Sequence, residues 1–270
     1  MTYTLRQIDI DKDRRLGFRE AGKGRAALFL HGIGSGSLSF ERQLDAFSGS
    51  CRAIAWDAPG YGGSDDHPQA TPSDTDYAAD VLALLDALHI DEVVLCGHSL
   101  GGLIATACVA LAPERIKRVV LSSCASGNGM LAEGLRQERL QDRLDAMMTL
   151  GPAEHARQRA PRMLSPTTDV ATAAKVENIM ARLRPTGYTQ ACHVLGNGNA
   201  FDNLRKWPNP GPPTLVVVGE DDVITPPDSV RRVAQAIPGA LFEVFENAGH
   251  AAYLERPDTY NEVVGNFLRR

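Results

Sequence analysis

Ser99 lies in the segment GHSLG at residues 97–101, between an apolar run that begins at Val93 and a second apolar run. A serine hydroxyl is a weak nucleophile unless a tight turn exposes it beside a base and oxyanion donors. Gly97 and Gly101 permit such a turn and a close approach of strand to helix. Short glycine–serine turns also occur without catalysis, but the flanking apolar runs predict a strand before Ser99 and a helix after it. The pattern therefore predicts a nucleophilic serine at a helix N-terminus.

Two later loops carry residue types that could activate this serine. Asp221 and Asp222 follow an apolar run at residues 214–218, and His250 follows a predicted strand at residues 240–245. In an open parallel sheet, ligands bind outside the carboxyl ends of the strands, and all of these residues fall at that edge. The order serine, acid, histidine is one of three chain orders known for catalytic triads.

A glycine-rich loop, HGIGSG at residues 31–36, follows a predicted strand at residues 26–30. Its glycines let the backbone approach a ligand and direct an N–H group at it. The loop lacks the Lys-Ser/Thr pair of a phosphate loop and the spacing of a dinucleotide fingerprint. His31 is interpreted mainly as a buried anchor of this loop, with direct catalysis as the alternative. Asp57 is interpreted as a turn-capping residue, with a catalytic carboxylate as the alternative.

Strands and helices alternate along most of the chain, which predicts an α/β fold with a mostly parallel, doubly wound sheet. Residues 3–20 alternate in a way that favours an antiparallel hairpin with its turn near residues 11–13. Residues 127–205 instead show helical periodicity without short β-branched runs. We therefore expect a helical cap at 127–205, inserted into a core formed by residues 1–126 and 206–270.

The composition restricts the class of partner. The chain has 270 residues, 43% of them hydrophobic, and a formal net charge of −5. It contains no basic block, which argues against nucleic-acid binding and membrane-surface binding and favours a small-molecule substrate. The N-terminal residues include no apolar leader and no stretch is long enough to span a membrane, so a cytoplasmic location is expected. Formation of a homo-oligomer is left open.

No metal and no cofactor are predicted. The 7 histidines do not cluster at ligand spacing, and the pair Cys96-x-His98 lies in a predicted buried strand. The 5 cysteines are odd in number and widely scattered. Four of them fall inside predicted strands or helices, where a small apolar thiol packs well, so reduced thiols are expected.

Taken together, these motifs resemble those of α/β-hydrolase fold proteins, in the branch of capped esterases, enol-lactonases and hydrolases of aromatic ring-fission products. The resemblance covers nearly the whole chain. The matching segments are His31-Gly32, DAPGYGGS at 57–64, GHSLGG at 97–102, Gly219 with Asp222 and Pro226, and Gly249-His250 with Glu255 and Pro257.

The resemblance implies a role for each matching residue. Ser99 would be the nucleophile and His250 the base that takes its proton and returns it to the leaving group. Asp222 is preferred to Asp221 as the acid, because the family's acid lies three residues after the glycine.

The backbone N–H groups of Ile33 and Leu100 would form the oxyanion hole. His31, Gly32 and His98 are further candidates for substrate contact. His98 also has a simpler interpretation as a packing and hydrogen-bonding neighbour of the serine.

The activity expected from the resemblance is hydrolysis of a small carboxylic ester or enol-lactone through an acyl-enzyme. Hydrolases of carbon–carbon bonds usually have Asn before the nucleophile and Trp after the histidine, where this chain has His98 and Ala251. This departure weakens the carbon–carbon reaction as a candidate without removing it. The same fold also accommodates cofactor-free oxygenases, perhydrolases and non-catalytic ligand receptors, so these classes stay open.

Charge within the predicted cap offers one indication of the substrate. Residues 127–205 contain ten Arg and Lys residues against eight Asp and Glu residues, although the whole chain is acidic. A cap arginine such as Arg139, Arg159 or Arg184 could bind a substrate carboxylate by paired hydrogen bonds. The competing interpretation is an ordinary solvated helix face.

Overall fold

The computed structural model describes residues 3–269. Its strands are β1 (Arg6–Asp9), β2 (Arg15–Ala21), β3 (Ala26–Leu30), β4 (Arg52–Trp56), β5 (Val93–His98), β6 (Ile116–Ser122), β7 (Thr214–Gly219) and β8 (Leu241–Phe245). They form one sheet with the strand order β1-β2-β4-β3-β5-β6-β7-β8. The predicted α/β fold is confirmed.

The register of the sheet confirms the two strand arrangements expected from the sequence. β1 and β2 form the antiparallel hairpin, with Ile8 opposite Leu16, and β2 also pairs with β4 in the antiparallel sense. The other six strands, in the order β4-β3-β5-β6-β7-β8, all run parallel to one another. The carboxyl ends of these parallel strands therefore meet at one edge, where the loops after β3, β5, β7 and β8 come together.

Helices join the strands and cover the sheet. They are α1 (Glu41–Phe47), α2 (Asp74–Ala87), α3 (Leu100–Leu111), α4 (Glu133–Arg159), α5 (Val170–Met180), α6 (Pro185–Asn197), α7 (Ala200–Leu204), α8 (Pro227–Gln235), α9 (Ala252–Glu255) and α10 (Pro257–Arg269). α2 begins at Asp74, where Ser73 and Asp76 form a capping box at its N-terminus.

The segment between β6 and β7 is helical, with α4 to α7 and no strand among its described residues. α4 is interrupted at Gly151, which has a φ of 68° and precedes Pro152. Proline cannot donate the next helical hydrogen bond, so the axis breaks there. The expected cap boundaries, residues 127 and 205, stay a prediction.

The core lies along the parallel strands, which are covered on both faces. Leu28, Phe29 and Leu30 of β3 have no exposed surface, and neither does Trp56 at the end of β4. Runs of this kind are typical of central parallel strands. All five cysteines are free and four of them are buried, which agrees with the predicted reduced thiols. No helix in residues 3–269 combines the length and hydropathy needed to cross a membrane.

Candidate active site

Ser99 occupies a strained corner between β5 and α3. Its φ of 52° and ψ of −112° are values that side-chain-bearing residues rarely adopt. Its backbone N–H donates to the Ser122 carbonyl at 2.9 Å, and its own carbonyl accepts from the N–H groups of Gly102 at 3.0 Å and Ala125 at 3.1 Å. These bonds fix the serine at the carboxyl edge of the sheet.

The glycines around Ser99 are required by space. A Cβ at Gly97 would overlap the Gly101 carbonyl, and a Cβ at Gly101 would overlap the Leu30 carbonyl. A Cβ at Gly32 would come within 2.9 Å of the Ser99 Cβ. β3, β5 and α3 therefore approach one another as the sequence predicted.

Asp222 and His250 form a buried pair in which His250 Nδ1 donates to Asp222 Oδ2 at 2.9 Å. Each side chain is 2% exposed or less. The other oxygen, Oδ1, accepts from the N–H groups of Ile224 and Thr225 at 2.9 and 2.8 Å. Burial alone would raise the pKa of Asp222, but the hydrogen bond and charge of His250, with the bonds from Thr225, lower it overall. Asp222 is therefore a carboxylate at neutral pH.

Asp221 has a different partner, although it is adjacent in sequence. Its Oδ2 accepts from the Ser165 hydroxyl at 2.6 Å, in the helical segment between β6 and β7. Of the two neighbouring carboxylates, only Asp222 is hydrogen-bonded to His250. Asp222 is thus the carboxylate paired with His250, and its role as the acid stays a prediction.

Ser99 and His250 line one pocket of about 350 Å³ at the carboxyl edge of the sheet. Such a volume suits a small organic ligand. No hydrogen bond joins their side chains among residues 3–269, and catalytic hydrogen bonds often tighten only when substrate binds. Ile33 lines the same pocket, and Leu100 is the first residue of α3, where backbone N–H groups lack partners within the helix.

His31, Gly32 and His98 do not line this pocket, so their contact with the substrate stays a prediction. His31 is 2% exposed, and its Nε2 accepts from the Ala58 N–H at 2.9 Å. The ring proton therefore lies on Nδ1, which faces the Gly32 carbonyl at 2.9 Å. Burial lowers the pKa of His31, so the imidazole stays neutral and anchors the loop.

His98 supports His250 from behind. Its Nε2 donates to the His250 carbonyl at 2.8 Å, and its ring packs against those of His250 and Tyr253. Burial, followed by the neighbouring His250, lowers the pKa of His98 to about 3. The simpler sequence interpretation, a packing and hydrogen-bonding neighbour, describes His98 correctly.

Asp57 likewise has the structural role that the sequence favoured. Its Oδ1 accepts from the Ser37 N–H at 2.7 Å and its Oδ2 from the Gly63 N–H at 3.2 Å. It joins two loops beside the sheet edge and does not line the pocket.

Two supporting residues were not singled out as functional from the sequence. The Thr225 hydroxyl donates to Asp222 Oδ2 at 2.8 Å and lies 3.2 Å from His250 Nδ1. The buried Glu255 accepts from the N–H groups of Gly249 and Ser165 at 2.9 and 2.7 Å. Glu255 stands in the family motif, but its link to Ser165 spans 90 residues and no local pattern signals it.

Outside this pocket, His67 and Asp80 form a second buried His–Asp pair, with Nε2 and Oδ2 3.7 Å apart, and neither residue lines the pocket with Ser99. No group of three or more His, Cys, Asp or Glu side chains in residues 3–269 is arranged to hold a metal ion. A second cavity, of about 390 Å³, lies at the amino ends of β3 and β5, with Ala26 and Val93 in its wall. It is at the opposite edge of the sheet from Ser99.

The sequence model of the alpha/beta hydrolase family matches residues 27–263. The chain belongs to the alpha/beta hydrolase family. It is 28% identical over 276 residues to a 2-hydroxy-6-oxononadienedioate/2-hydroxy-6-oxononatrienedioate hydrolase of Escherichia coli (strain K12), covering 96% of this chain and 92% of that protein.

Solved structures agree with this hydrolase fold. The enol-lactonase from Burkholderia xenovorans LB400 is 26% identical, with a TM-score of 0.85 over 97% of this chain and 100% of that chain. A thermophilic esterase from Thermogutta terrifontis has a TM-score of 0.88 over 98% of each chain. That esterase is 23% identical to this chain and supports the fold alone.

Proposed function

We propose that this protein is a serine hydrolase that cleaves a small-molecule carboxylic ester or enol-lactone through an acyl-enzyme. The observation that carries the proposal is the Asp222–His250 hydrogen bond beside the strained Ser99 in one pocket. A nucleophile, a base and a group that orients the base are the parts that acyl transfer needs.

The first half of the reaction forms the acyl-enzyme. The Ser99 hydroxyl attacks the substrate carbonyl while His250 Nε2 takes its proton. Asp222 holds the proton of Nδ1, which leaves Nε2 free to accept, and its negative charge stabilises the imidazolium. The imidazolium then gives its proton to the departing alcohol or enol oxygen. A water molecule attacks the acyl-enzyme by the same steps and releases the acid.

The oxyanion of each tetrahedral intermediate is stabilised by backbone N–H groups. Leu100 and Ile33 are the donors in this proposal, since Leu100 begins α3 behind Ser99 and Ile33 lines the pocket. Each such donor contributes about 3 kcal/mol of transition-state stabilisation. The N-terminus of α3 adds a favourable dipole.

The named relatives support two chemistries. The enol-lactonase favours hydrolysis of an ester bond, whereas the Escherichia coli relative favours hydrolysis of a carbon–carbon bond in a vinylogous diketone. Hydrolases of carbon–carbon bonds usually have Trp after the histidine. Here that residue is the small, buried Ala251, whose N–H donates to the Met163 carbonyl at 3.2 Å. We propose ester or lactone hydrolysis first and keep carbon–carbon hydrolysis as the second candidate.

Covalent labelling tests the nucleophile. We expect a fluorophosphonate probe to label the wild type and Ser126→Ala but not Ser99→Ala. The probe reacts with a serine that a base activates, and in this proposal His250 activates Ser99. Ser126 is a matched control, since it also lines the pocket. An unlabelled but folded wild type would contradict the proposal.

The two adjacent carboxylates provide a matched test of the acid. We expect Asp222→Asn to lower kcat by about 10³- to 10⁴-fold, because an amide favours the wrong histidine tautomer. Asp221→Asn should change kcat only a few-fold, since Asp221 bonds to Ser165. Equal losses in the two variants would remove Asp222 from its proposed role.

A substrate panel distinguishes the candidate reactions. The purified protein is offered p-nitrophenyl esters, enol-lactones and vinylogous diketones, and initial rates are compared. A burst of p-nitrophenol followed by steady turnover is expected for an acyl-enzyme. Turnover of the diketones alone would favour the second candidate, and oxygen uptake without hydrolysis would favour an oxygenase.

A further inference from the structure

Four arginines line the pocket that contains Ser99 and His250, and no Asp or Glu side chain lines it among the described residues. They are Arg139, Arg143 and Arg159 of α4 and Arg232 of α8. Guanidinium groups stay charged at all physiological pH values. The pocket is therefore cationic in a chain whose net charge is −5.

These four arginines have no carboxylate partner within residues 3–269, whereas four of the six arginines of the segment between β6 and β7 that lie outside the pocket do. The paired examples are Arg136 with Glu133, Arg157 with Glu154, Arg184 with Asp66 and Arg205 with Asp202. Arg184, one of the three candidates from the sequence, also donates to the Gly60 carbonyl at 2.9 Å. It fastens the helical segment to the core and does not line the pocket.

Two of the four arginines, Arg143 and Arg159, are only half exposed, so their charges are partly removed from water. Arg143 Nη1 is buried and has no hydrogen-bond partner in the described part of the chain. Burial, with the nearby charges of Arg143 and Arg162, lowers the pKa of Arg159. Burial lowers the pKa of the nearby His155, and the charges of Arg159 and Arg143 lower it further. An unpaired cationic cluster of this kind is costly unless a ligand supplies the negative charge.

Part of the remaining wall of the pocket is apolar and can contact a hydrocarbon chain or ring. Leu131, Met163 and Leu195 line it together with the arginines. A ligand that satisfies both surfaces has an apolar body, a reactive carbonyl near Ser99 and a separate anionic end. Planar carboxylates match the two parallel N–H groups of a guanidinium.

We propose that Arg143 and Arg159 bind a free carboxylate of the substrate, so that the substrate is an ester or lactone that also carries an unesterified acid group. Arg139 and Arg232, which are exposed, increase the attraction of such anions at the pocket mouth. This inference rests on the proposed function, because it names the substrate class of the same pocket.

Two matched esters test the inference. p-Nitrophenyl hydrogen adipate carries a free carboxylate, and its methyl ester has the same chain without the charge. We expect the wild type to prefer the acid roughly 10- to 100-fold in kcat/KM, the range for charge-assisted hydrogen bonds. In the double variant Arg143→Gln/Arg159→Gln the ratio should fall to about one. A wild type that shows no preference for the acid would overturn the inference.

Arg157→Gln is the control for a general charge effect, because it removes one of the same kind of charge, where the double variant removes two, from the same helix at a residue outside the pocket. It should keep the wild-type ratio between the two esters. Thermal unfolding of the double variant confirms that it is folded. A ratio that falls equally in Arg157→Gln would mean that general charge, and not this site, sets the preference.

Calorimetry separates this inference from the proposed function, since it needs no turnover. Adipate should bind Ser99→Ala, and binding should be lost when Arg143 and Arg159 are also changed to Gln. Adipate binding without any ester hydrolysis would support the anion site and contradict the hydrolase. Ester hydrolysis without adipate binding would support the hydrolase and contradict the anion site. Inorganic phosphate that binds much more tightly than adipate would overturn the carboxylate assignment.

Discussion

At the scale of single residues, His98 and His250 are two imidazoles in contact whose surroundings give them different hydrogen bonds. His250 lines the pocket, and its Nδ1 donates to Asp222. His98 is enclosed, and its single N–H is committed to the His250 carbonyl. In our proposal His98 is therefore a positioning residue for His250, and His250 is the base.

The low pKa of His98 leads to a prediction about stability and pH. In the folded protein its pKa is about 3, below the ordinary value of 6.5 expected for the unfolded chain. A lowered folded-state pKa gives stability that is present above the unfolded pKa and is lost as the pH falls toward the folded value. Between pH 7 and pH 5, we expect the wild type to lose about 2 kcal/mol more than His98→Gln.

Urea unfolding at the two pH values measures this difference. Gln keeps a donor for the His250 carbonyl but does not titrate in this range. If both proteins lose the same free energy of unfolding, His98 is protonated in the folded state and the positioning role is wrong.

At the scale of elements, the turn from β5 to α3 is decided by backbone contact. Gly97, Gly101 and Gly102 lie where β3, the turn at Ser99 and the loop after β6 meet. A Cβ at Gly102 would lie 2.8 Å from the Sγ of Cys124 in that loop. The strain at Ser99 persists because the bonds around it hold the corner. This element was fully predictable, since glycine spacing and apolar runs are local properties.

We expect Gly101→Ala to reduce the free energy of unfolding by about 3 kcal/mol or more, because the added methyl group meets the Leu30 backbone, which cannot move aside. Gly134→Ala is the control, since a Cβ there meets nothing within 4 Å in the first turn of α4. Its unfolding free energy should equal that of the wild type or rise by up to about 1 kcal/mol. Identical urea midpoints for the two variants would contradict this account of the corner.

At the scale of the whole molecule, the helical segment and the core share the loops that hold the site. Glu255 accepts from Gly249, next to His250, and from the Ser165 N–H and the Thr168 hydroxyl of the helical segment. Asp221 makes a second link to Ser165. The position of His250 is therefore coupled to the segment that shapes the pocket.

We expect Glu255→Gln to lower the free energy of unfolding by about 1 to 3 kcal/mol, because an amide has one acceptor oxygen for several buried donors. Amide hydrogen exchange should become faster at Gly249 and Ser165 together. Glu262→Gln, an exposed site on α10, serves as the control and should change neither quantity. Unchanged exchange at both amides in Glu255→Gln would show that this carboxylate does not couple the two parts.

The sequence alone determined the α/β fold, the helical segment between β6 and β7, and the turn that carries Ser99. Each depends on the periodicity of apolar residues or on glycine spacing, which are properties of neighbours in the chain. The order of the motifs also placed Ser99, Asp222 and His250 at one edge of the sheet.

Only the tertiary structure decided which side chains touch. It paired Asp222 and not Asp221 with His250, and it placed Arg143 and Arg159 together in the pocket wall, which His31 and His98 do not line. His98 and its partner are 152 residues apart. Such contacts follow from the register of the sheet and the packing of helices on it, and no local sequence pattern encodes them.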